Sequence, residues 1–99
     1  MWRVQITDEA SQIFESGLLS DDDRLVIQTW AQTITEFGPE GLLRRSSVWG
    51  DHELDGEWRG HRSSRFSYRG RIIYRVNERQ QTVIVVRITT NHNYRRNKE

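Results

Sequence analysis

The sequence predicts a two-layer α+β domain in which two N-terminal helices pack on one face of a small antiparallel sheet. Three observations indicate this fold: an alternating apolar segment at the start of the chain, two capped helix-like segments, and three alternating segments in the second half. The predicted element order is β-α-α-β-β-β. The 99 residues are enough for one such domain, over 1–99, and too few for two.

The first strand and both helices follow from local patterns. Thr7 is a suitable N-cap for a short first helix. Ser20, with Asp23 three residues later, forms a capping-box pattern at the start of a second helix, and Gly38-Pro39 ends that helix. The alternating strand before the helices contains Trp2, Val4 and Ile6. The apolar stripe of the second helix comprises Val26 or Ile27, Trp30, Ile34 and Phe37.

The second half of the chain contains a loop and three strands. Segment 40–60 lacks a clear period and contains four glycines, so we expect a long loop there. Strands are predicted over 62–68, 71–77 and 82–90. Their alternation predicts one set of inward residues, namely Ile72, Tyr74, Val76, Ile84, Val86 and Ile88. With Phe66 also inward, the opposite face carries Arg65, Arg71, Arg75 and Arg87.

Composition excludes several classes of protein. The chain has no cysteine, which excludes disulfides and thiolate chemistry, and its three scattered histidines lack zinc-ligand spacing, so no metal or other cofactor is expected. The longest aliphatic run, Val83-Ile84-Val85-Val86, is far shorter than the roughly 20 residues that span a bilayer. The N-terminal segment also lacks a secretory pattern, so we expect a cytoplasmic protein.

Charge is distributed unevenly along the chain. Residues 1–43 contain eight acids and two arginines, whereas residues 44–99 contain thirteen bases and six acids. Between residues 59 and 96 there are ten arginines and one acid, Glu78. Because a guanidinium pairs bidentately with phosphate and stacks on bases, this pattern favours a nucleic-acid partner. A solvated basic face, or one covered by an acidic protein segment, is the alternative reading.

Two histidines are candidate proton-transfer groups. His92 follows the last strand, beside Tyr94 and two arginines, where an imidazole would be suited to proton transfer near a phosphate. Its plainer interpretation is a basic tail. His52 lies in the loop among four acids, which are interpreted as solvated side chains of a loop anchored by Leu54 and Trp58.

Three motifs give the sequence a recognisable order. They are Asp51-His52-Glu53-Leu54-Asp55-Gly56-Glu57-Trp58-Arg59-Gly60-His61-Arg62, then Arg71-Ile72-Ile73-Tyr74-Arg75-Val76, then Thr90-Asn91-His92-Asn93-Tyr94. In this order and spacing they resemble the RelE/ParE superfamily of bacterial toxins, most closely its YafQ- and YoeB-type mRNA interferases. The β-α-α-β-β-β order is also that of the family, so the resemblance spans nearly the whole chain.

The resemblance implies the toxin of a type II toxin–antitoxin system, a ribosome-dependent endoribonuclease that cleaves mRNA by attack of the 2′-hydroxyl without a metal. It also implies a cognate antitoxin as partner, besides the ribosome and mRNA. Carried over by position, the implied catalytic residues are His52, Arg65, Arg71, His92 and Tyr94. The remaining arginines expected to bind RNA are Arg59, Arg62, Arg69, Arg75, Arg87, Arg95 and Arg96.

The chain departs from the YafQ pattern in two places, and two other functions compete. A second YafQ-type histidine would fall at Arg65 and an acid–aromatic pair at Arg69-Gly70, so the division of general acid and base stays open. The competing functions are a ParE-like gyrase inhibitor and a non-catalytic RNA-binding module. Histidines at both matching positions, His52 and His92, favour the nuclease, because a gyrase inhibitor has no need of them.

Overall fold

A computed structural model describes residues 1–90 of the chain. Within these residues the α+β class and the order of the predicted elements are confirmed, with short helices and one short strand added. Two 3₁₀ segments, Gln12–Glu15 and Gly56–Trp58, supplement them. The elements are β1 (Arg3–Ile6), α1 (Asp8–Ser11), α2 (Asp21–Phe37), α3 (Glu40–Leu43), α4 (Ser46–Trp49), β2 (His52–Glu53), β3 (Arg62–Arg65), β4 (Arg71–Asn77) and β5 (Thr82–Thr89).

The five strands form one mixed sheet in the order β1-β5-β4-β3-β2. β3, β4 and β5 pair antiparallel, as predicted, and β2, which the sequence did not predict, pairs antiparallel with β3. β1, however, pairs parallel with β5, so the prediction of a purely antiparallel sheet is wrong at this edge. The alternation within β1 does not show which strand will be its neighbour, and here the first and last strands along the chain lie side by side.

α2 begins and ends as its sequence predicts. The Ser20 hydroxyl accepts a hydrogen bond from the Asp23 N–H at 3.0 Å, and the Asp23 carboxylate accepts one from the Ser20 N–H at 3.1 Å, which completes the capping box. Gly38 ends the helix with φ 76° and ψ 177°, a conformation that glycine adopts almost alone. Phe37, the last residue of the helix, is 56% exposed, so its predicted place in the buried apolar stripe is wrong.

The core lies between α2 and the sheet. Trp30 packs edge-to-face on Tyr74 of β4, with ring centroids 5.4 Å apart. Further side chains that are almost completely buried complete this layer: Ile34, Leu42, Ile72, Val83 and Val85. α2 therefore covers one face of the sheet. We call the opposite face the far face.

The predicted long loop over 40–60 contains structure of its own. α3, α4, β2 and a 3₁₀ turn all lie within it, each four residues or shorter. Elements this short show no periodicity, which explains why the sequence does not reveal them. Gly41 holds α3 close to α2, because a Cβ at this position would lie 2.9 Å from Phe37 Cβ and from Thr33 Cγ2.

The inward face of β5 differs from the prediction. The core contains Val83, Val85 and Ile88, whereas Ile84 and Val86 are half-buried. The reason is a register shift: Tyr74 pairs with Val85 and Ile73 with Arg87, so Val86 is an extra, bulged residue. On β4, the predicted inward residues Ile72 and Tyr74 are confirmed, and Ile73 is also buried although it points to the far face.

The strand ends also differ from the prediction in two places. β3 stops at Arg65 because Phe66 N–H donates to the Gly70 carbonyl at 3.1 Å, which starts a turn. β5 stops at Thr89. No helix within residues 1–90 is both long and apolar enough to cross a membrane.

We predict that Gly38→Ala destabilises the chain more than Gly17→Ala. Both glycines have positive φ, but a Cβ at Gly17 would meet nothing within 4 Å, whereas one at Gly38 would lie 2.9 Å from Trp2 Nε1. Urea unfolding should show a loss of about 1 kcal/mol for Gly17→Ala and about 3 kcal/mol for Gly38→Ala. Equal losses would contradict the packing of Trp2 on Gly38.

Candidate functional site

Strand register assembles a row of side chains across the far face. His52 pairs with Ser63, Ser63 with Ile73, and Ile73 with Arg87. Directly paired residues point to the same face of a sheet, so all four lie on one side. Neighbouring strands are about 4.8 Å apart, so the row measures about 14 Å from His52 on β2 to Arg87 on β5.

Two predicted catalytic arginines lie in the next row. Arg65 pairs directly with Arg71, and Arg71 pairs with Thr89. Arg75 pairs with Ile84 on the other side of the first row, and its side chain is exposed. Together these residues occupy three successive rows of cross-strand pairs on the far face. They are His52, Arg65, Arg71, Arg75 and Arg87.

Backbone carbonyls hold Arg65 and Arg71 in place. Arg71 Nη1 donates to the carbonyls of Ser67, Tyr68 and Gly70, at 3.3, 3.2 and 2.8 Å. Arg65 Nη2 donates to the Ser47 carbonyl at 3.1 Å. Among residues 1–90 neither guanidinium pairs with a carboxylate. Two positive charges thus arise from directly paired positions, each held by backbone carbonyls and neither with a neutralising acid among these residues.

Burial and a neighbouring charge both act on the pKa of Arg71. Burial lowers the pKa of Arg71, and the neighbouring charge of Arg65 lowers it further. An anion bound between the two guanidiniums would relieve this repulsion and complete their hydrogen bonding. The pair is therefore the part of the far face best suited to hold a phosphate.

Arg87 belongs to an aromatic stack at the other end of the face. Its guanidinium lies over the Trp58 ring, 5.4 Å from the centroid. The His61 ring packs edge-on to Trp58, with centroids 5.2 Å apart. The connection between β2 and β3 thus lies against the far face and orients the Arg87 side chain.

His52 has one ring nitrogen fixed by the backbone. His52 is exposed on β2, and its Nδ1 is 3.1 Å from the Gly50 carbonyl oxygen. A carbonyl can only accept, so this contact favours the tautomer with the proton on Nδ1. Nε2 then carries the lone pair and is able to accept a proton from a ligand.

The remaining predicted RNA-binding arginines have different surroundings. Arg59 is exposed in the connection between β2 and β3. Arg69 lies in the turn after β3 with its guanidinium 6.0 Å from the Tyr68 ring centroid. Arg62 is not on the far face: it pairs with Tyr74, and its Nε donates to Asp51 Oδ1 at 2.6 Å. Arg62 therefore lies on the α2 side of the sheet in an ion pair with Asp51, and its contact with RNA stays a prediction.

Asp51 is the centre of a buried network that the sequence analysis missed. Its side chain is 0% exposed, so the interpretation of this acid as solvated is wrong. Oδ2 accepts from Ser64 Oγ at 2.6 Å and from the Tyr74 hydroxyl, while Oδ1 accepts from Arg62. Ser64 Oγ accepts in turn from Trp30 Nε1 at 2.9 Å. The one signal in the sequence is the pairing of an acid with a later Arg-Ser-Ser segment, which is too common to identify a site.

The network perturbs the titration of two of its members. Burial, together with the charge of Asp51 and the hydrogen bond to it, raises the pKa of Tyr74 far above its ordinary value of 10.0. Burial lowers the pKa of Arg62, but the hydrogen bond to Asp51 and its charge outweigh that effect and leave the pKa raised. Tyr74 is therefore a permanent donor and Arg62 a permanent cation.

Four predicted site residues lie outside the described residues: His92, Tyr94, Arg95 and Arg96. Their proposed roles remain predictions. Thr89, the last residue of β5, lies opposite Arg71. Within residues 1–90 no three His, Asp or Glu side chains are grouped so that they could hold a metal ion.

We predict that alkaline pH weakens the wild-type chain more than the Tyr74→Phe variant. Because the pKa of Tyr74 is raised by folding, above about pH 10 the unfolded chain loses this proton while the folded chain keeps it. The unfolded state then binds fewer protons, so the free energy of unfolding falls by up to ~1.4 kcal/mol per pH unit. Urea unfolding at several pH values on either side of 10 measures the slope. Tyr68→Phe, at an 83% exposed residue, is the matched control and should keep the wild-type slope.

Solved structures show what fold the chain has. No protein-family model matches the chain, and no curated protein matches it in sequence. A copper-bound mutant toxin from Helicobacter pylori is 19% identical with a TM-score of 0.73, over 94% of this chain and 98% of that one. The YoeB–YefM complex from Staphylococcus aureus is 13% identical with a TM-score of 0.69, over 92% of this chain and 98% of that one. The DinJ–YafQ complex from Escherichia coli is 16% identical with a TM-score of 0.68, over 95% of this chain and 97% of that one.

The backbones superpose over nearly the full length of each chain although few residues are identical. The similarity is therefore one of fold. The chain therefore has the RelE-like fold of the YoeB and YafQ toxins, which the sequence motifs predict.

Proposed function

We propose that the chain is the toxin of a type II toxin–antitoxin system and that it cleaves mRNA on the ribosome. The observation that carries this proposal is the pair Arg65 and Arg71, two fixed guanidiniums without a neutralising acid, on the same sheet face as His52. The likeness of the fold to toxin structures supports the choice of RNA over other polyanions.

The proposed reaction is an intramolecular transfer that uses only protein groups. The ribose 2′-hydroxyl attacks the adjacent phosphorus, the bond to the 5′-oxygen breaks, and a cyclic phosphate and a free 5′-hydroxyl result. One group removes the 2′ proton and another supplies a proton to the leaving oxygen, so the proton count balances. Arg65 and Arg71 would stabilise the negative charge that builds up on the phosphoryl oxygens.

The two imidazoles are the candidates for the proton transfers. His52 Nε2 carries a lone pair when Nδ1 donates to Gly50, which suits it to accept the 2′ proton. His92 would then protonate the leaving oxygen, and Tyr94 would orient or stack on a base. The opposite division between His52 and His92 is equally compatible with the chemistry, and single variants distinguish them by their pH profiles.

An antitoxin is the proposed protein partner. The YoeB and YafQ structures are complexes with YefM and DinJ. The arginines of the far face are suited to an acidic segment when RNA is absent. Ribosome and mRNA are the proposed targets, which places the protein in the cytoplasm.

We predict that Arg71→Ala and His92→Ala each abolish mRNA cleavage and growth arrest while the fold is retained. Loss of a phosphate-stabilising cation or of a proton-transfer group typically lowers the rate by a factor of about 10² to 10⁴. The measurement is mapping of new mRNA 5′ ends on ribosomes after induction, with circular dichroism as the check on folding. Arg79→Ala, an exposed arginine in the β4–β5 turn, is the matched control and should cleave normally.

One outcome of this experiment would contradict the assigned residue roles, and another would contradict the nuclease activity itself. Normal cleavage by both variants would remove the assigned roles of Arg71 and His92. Growth arrest without new 5′ ends, together with cleaved DNA in a gyrase assay, would indicate a gyrase inhibitor instead.

We also predict that the far face makes the salt-dependent contacts to RNA. Each arginine that contacts a phosphate contributes about 0.7 to the slope of log K against log salt for single strands. Arg65→Ala and Arg87→Ala should each lower the slope by about this amount, whereas Arg79→Ala should not. Salt titrations of binding to a short single-stranded RNA give the slopes. Binding with these slopes but without cleavage would indicate a non-catalytic RNA-binding module.

A further inference from the structure

Gly50, between α4 and β2, is in contact with two side chains of the candidate site. Its carbonyl oxygen lies 3.1 Å from Nδ1 of His52. A Cβ added at Gly50 would lie 3.3 Å from Cζ of Arg65 and 3.4 Å from both Nη atoms. The guanidinium of Arg65 therefore occupies the space that a side chain at position 50 would need.

The strand register explains why both contacts meet at position 50. His52 pairs with Ser63, and Glu53 pairs with Arg62. Continued by two residues, this antiparallel register places Gly50 opposite Arg65. A side chain at position 50 would therefore stand beside Arg65, in the row in which Arg65 pairs with Arg71.

The backbone of Gly50 is fixed on both sides. Its N–H donates to the Ser46 carbonyl at 2.7 Å, which ends α4. Trp49, the preceding residue, is buried in the core, and Asp51, the following residue, carries the buried carboxylate of the network. Gly50 therefore presents its carbonyl to His52 and its Cα to Arg65 from a rigid support, as a precise site requires.

The conformation of Gly50 has a plainer explanation that leaves these contacts unexplained. With φ 54° and ψ 35°, the residue is in the left-handed region in which helices commonly end, and glycine is the usual residue there. Asparagine also adopts this conformation more readily than most residues. A helix end alone would therefore accept asparagine at position 50, whereas the close approach of Arg65 would not.

We infer that Gly50 is a positioning residue of the proposed cleavage site: its carbonyl selects the tautomer of His52, and its missing side chain leaves the space that the Arg65 guanidinium fills. The inference rests on the proposed function for the reaction that the two groups serve. One backbone unit thus places a proton-transfer imidazole and a phosphate-binding cation. A side chain at position 50 alters the geometry of the site while every charged group remains.

Two substitutions at position 50 test the inference by single-turnover cleavage of mRNA on ribosomes. Gly50→Ala should lower the rate about three- to tenfold, because the guanidinium must move by a fraction of an ångström and a displacement of about 1 Å costs about 10²-fold. Gly50→Asn, whose side chain reaches further, should lower it more than about tenfold.

Gly17→Ala is the matched control for the backbone. Gly17 also has a positive φ of 81°, but a Cβ there would meet nothing within 4 Å. This substitution introduces similar backbone strain without a contact at the site, so it should change the cleavage rate less than about twofold.

Stability and salt dependence separate positioning from a structural role. Urea unfolding should show that Gly50→Asn is more stable than Gly50→Ala, because asparagine tolerates the left-handed conformation better. The more stable variant should therefore be the poorer nuclease. Both variants should keep the wild-type slope of log K against log salt for a short single-stranded RNA, since Arg65 keeps its charge, whereas Arg65→Ala lowers the slope.

Nuclear magnetic resonance of the ¹⁵N-labelled chain tests the same contacts without RNA. The ring shifts of neutral His52 should show the proton on Nδ1 in the wild-type chain. Both substitutions at position 50 should shift the Nε–H signal of Arg65, and Gly17→Ala should leave it in place.

Three results would overturn the inference: a cleavage rate in Gly50→Asn equal to that of the wild type, an Arg65 signal that neither variant shifts, or a His52 proton on Nε2. The resonance experiment does not depend on cleavage, so the two proposals fail separately. The expected signals in a chain that does not cleave mRNA would support the placement of both groups by Gly50 and contradict the nuclease.

Discussion

The buried carboxylate of Asp51 is the interaction on which the arrangement of this molecule depends. A charge with no exposure to water is costly unless donors surround it, and three side chains supply them: Arg62, Ser64 and Tyr74. Each donor comes from β3 or β4, and Ser64 also receives the indole N–H of Trp30 from α2. The segment before β2 is therefore fixed to the helix and to two strands at once. Removing the carboxylate would leave Arg62 with only its 3.7 Å ion pair to the exposed Glu53. Such a loss costs several kcal/mol when the remaining charge is fully buried, and less here, where Arg62 keeps some exposure.

This network also divides the arginines into two groups with different uses. Arg62 is neutralised inside the molecule, and its pKa is raised by Asp51. Arg65, three residues later, points to the other face and meets Arg71, whose pKa is lowered by burial and by this neighbour. The alternation of β3 thus separates a structural cation from one that is available to an anion. Because Asp51 is fixed, the next residue, His52, is held on the same face as the available pair.

Local patterns predicted the parts of this structure that depend on local physics. The capping box of α2 and the limits of β4, Arg71–Asn77, follow from spacing that neighbouring residues enforce. The parallel partner of β1 and the burial of Asp51 depend on residues 11 to 79 positions away, and no pattern within one segment encodes them. The candidate site was predictable in part. The arginines of one face were predictable from alternation, whereas the ion pair of Arg62 depends on its partner Asp51, which no local pattern indicates.

The bulge at Val86 shows why the face of β5 was mispredicted and what the irregularity accomplishes. Residues 83 to 88 are apolar except for Arg87. A regular strand could place its side chains in either of two orientations relative to the core. With Val83 and Val85 on the core, strict alternation would direct Arg87 into the core as well, where an unpaired guanidinium is costly. With Arg87 outward, Val83 and Val85 would leave the core. One extra residue resolves the conflict, because it keeps Val83, Val85 and Ile88 inside and turns Arg87 to the far face, in register with Ile73 and over Trp58. Burial of the strand and completion of the basic face therefore have a single structural cause.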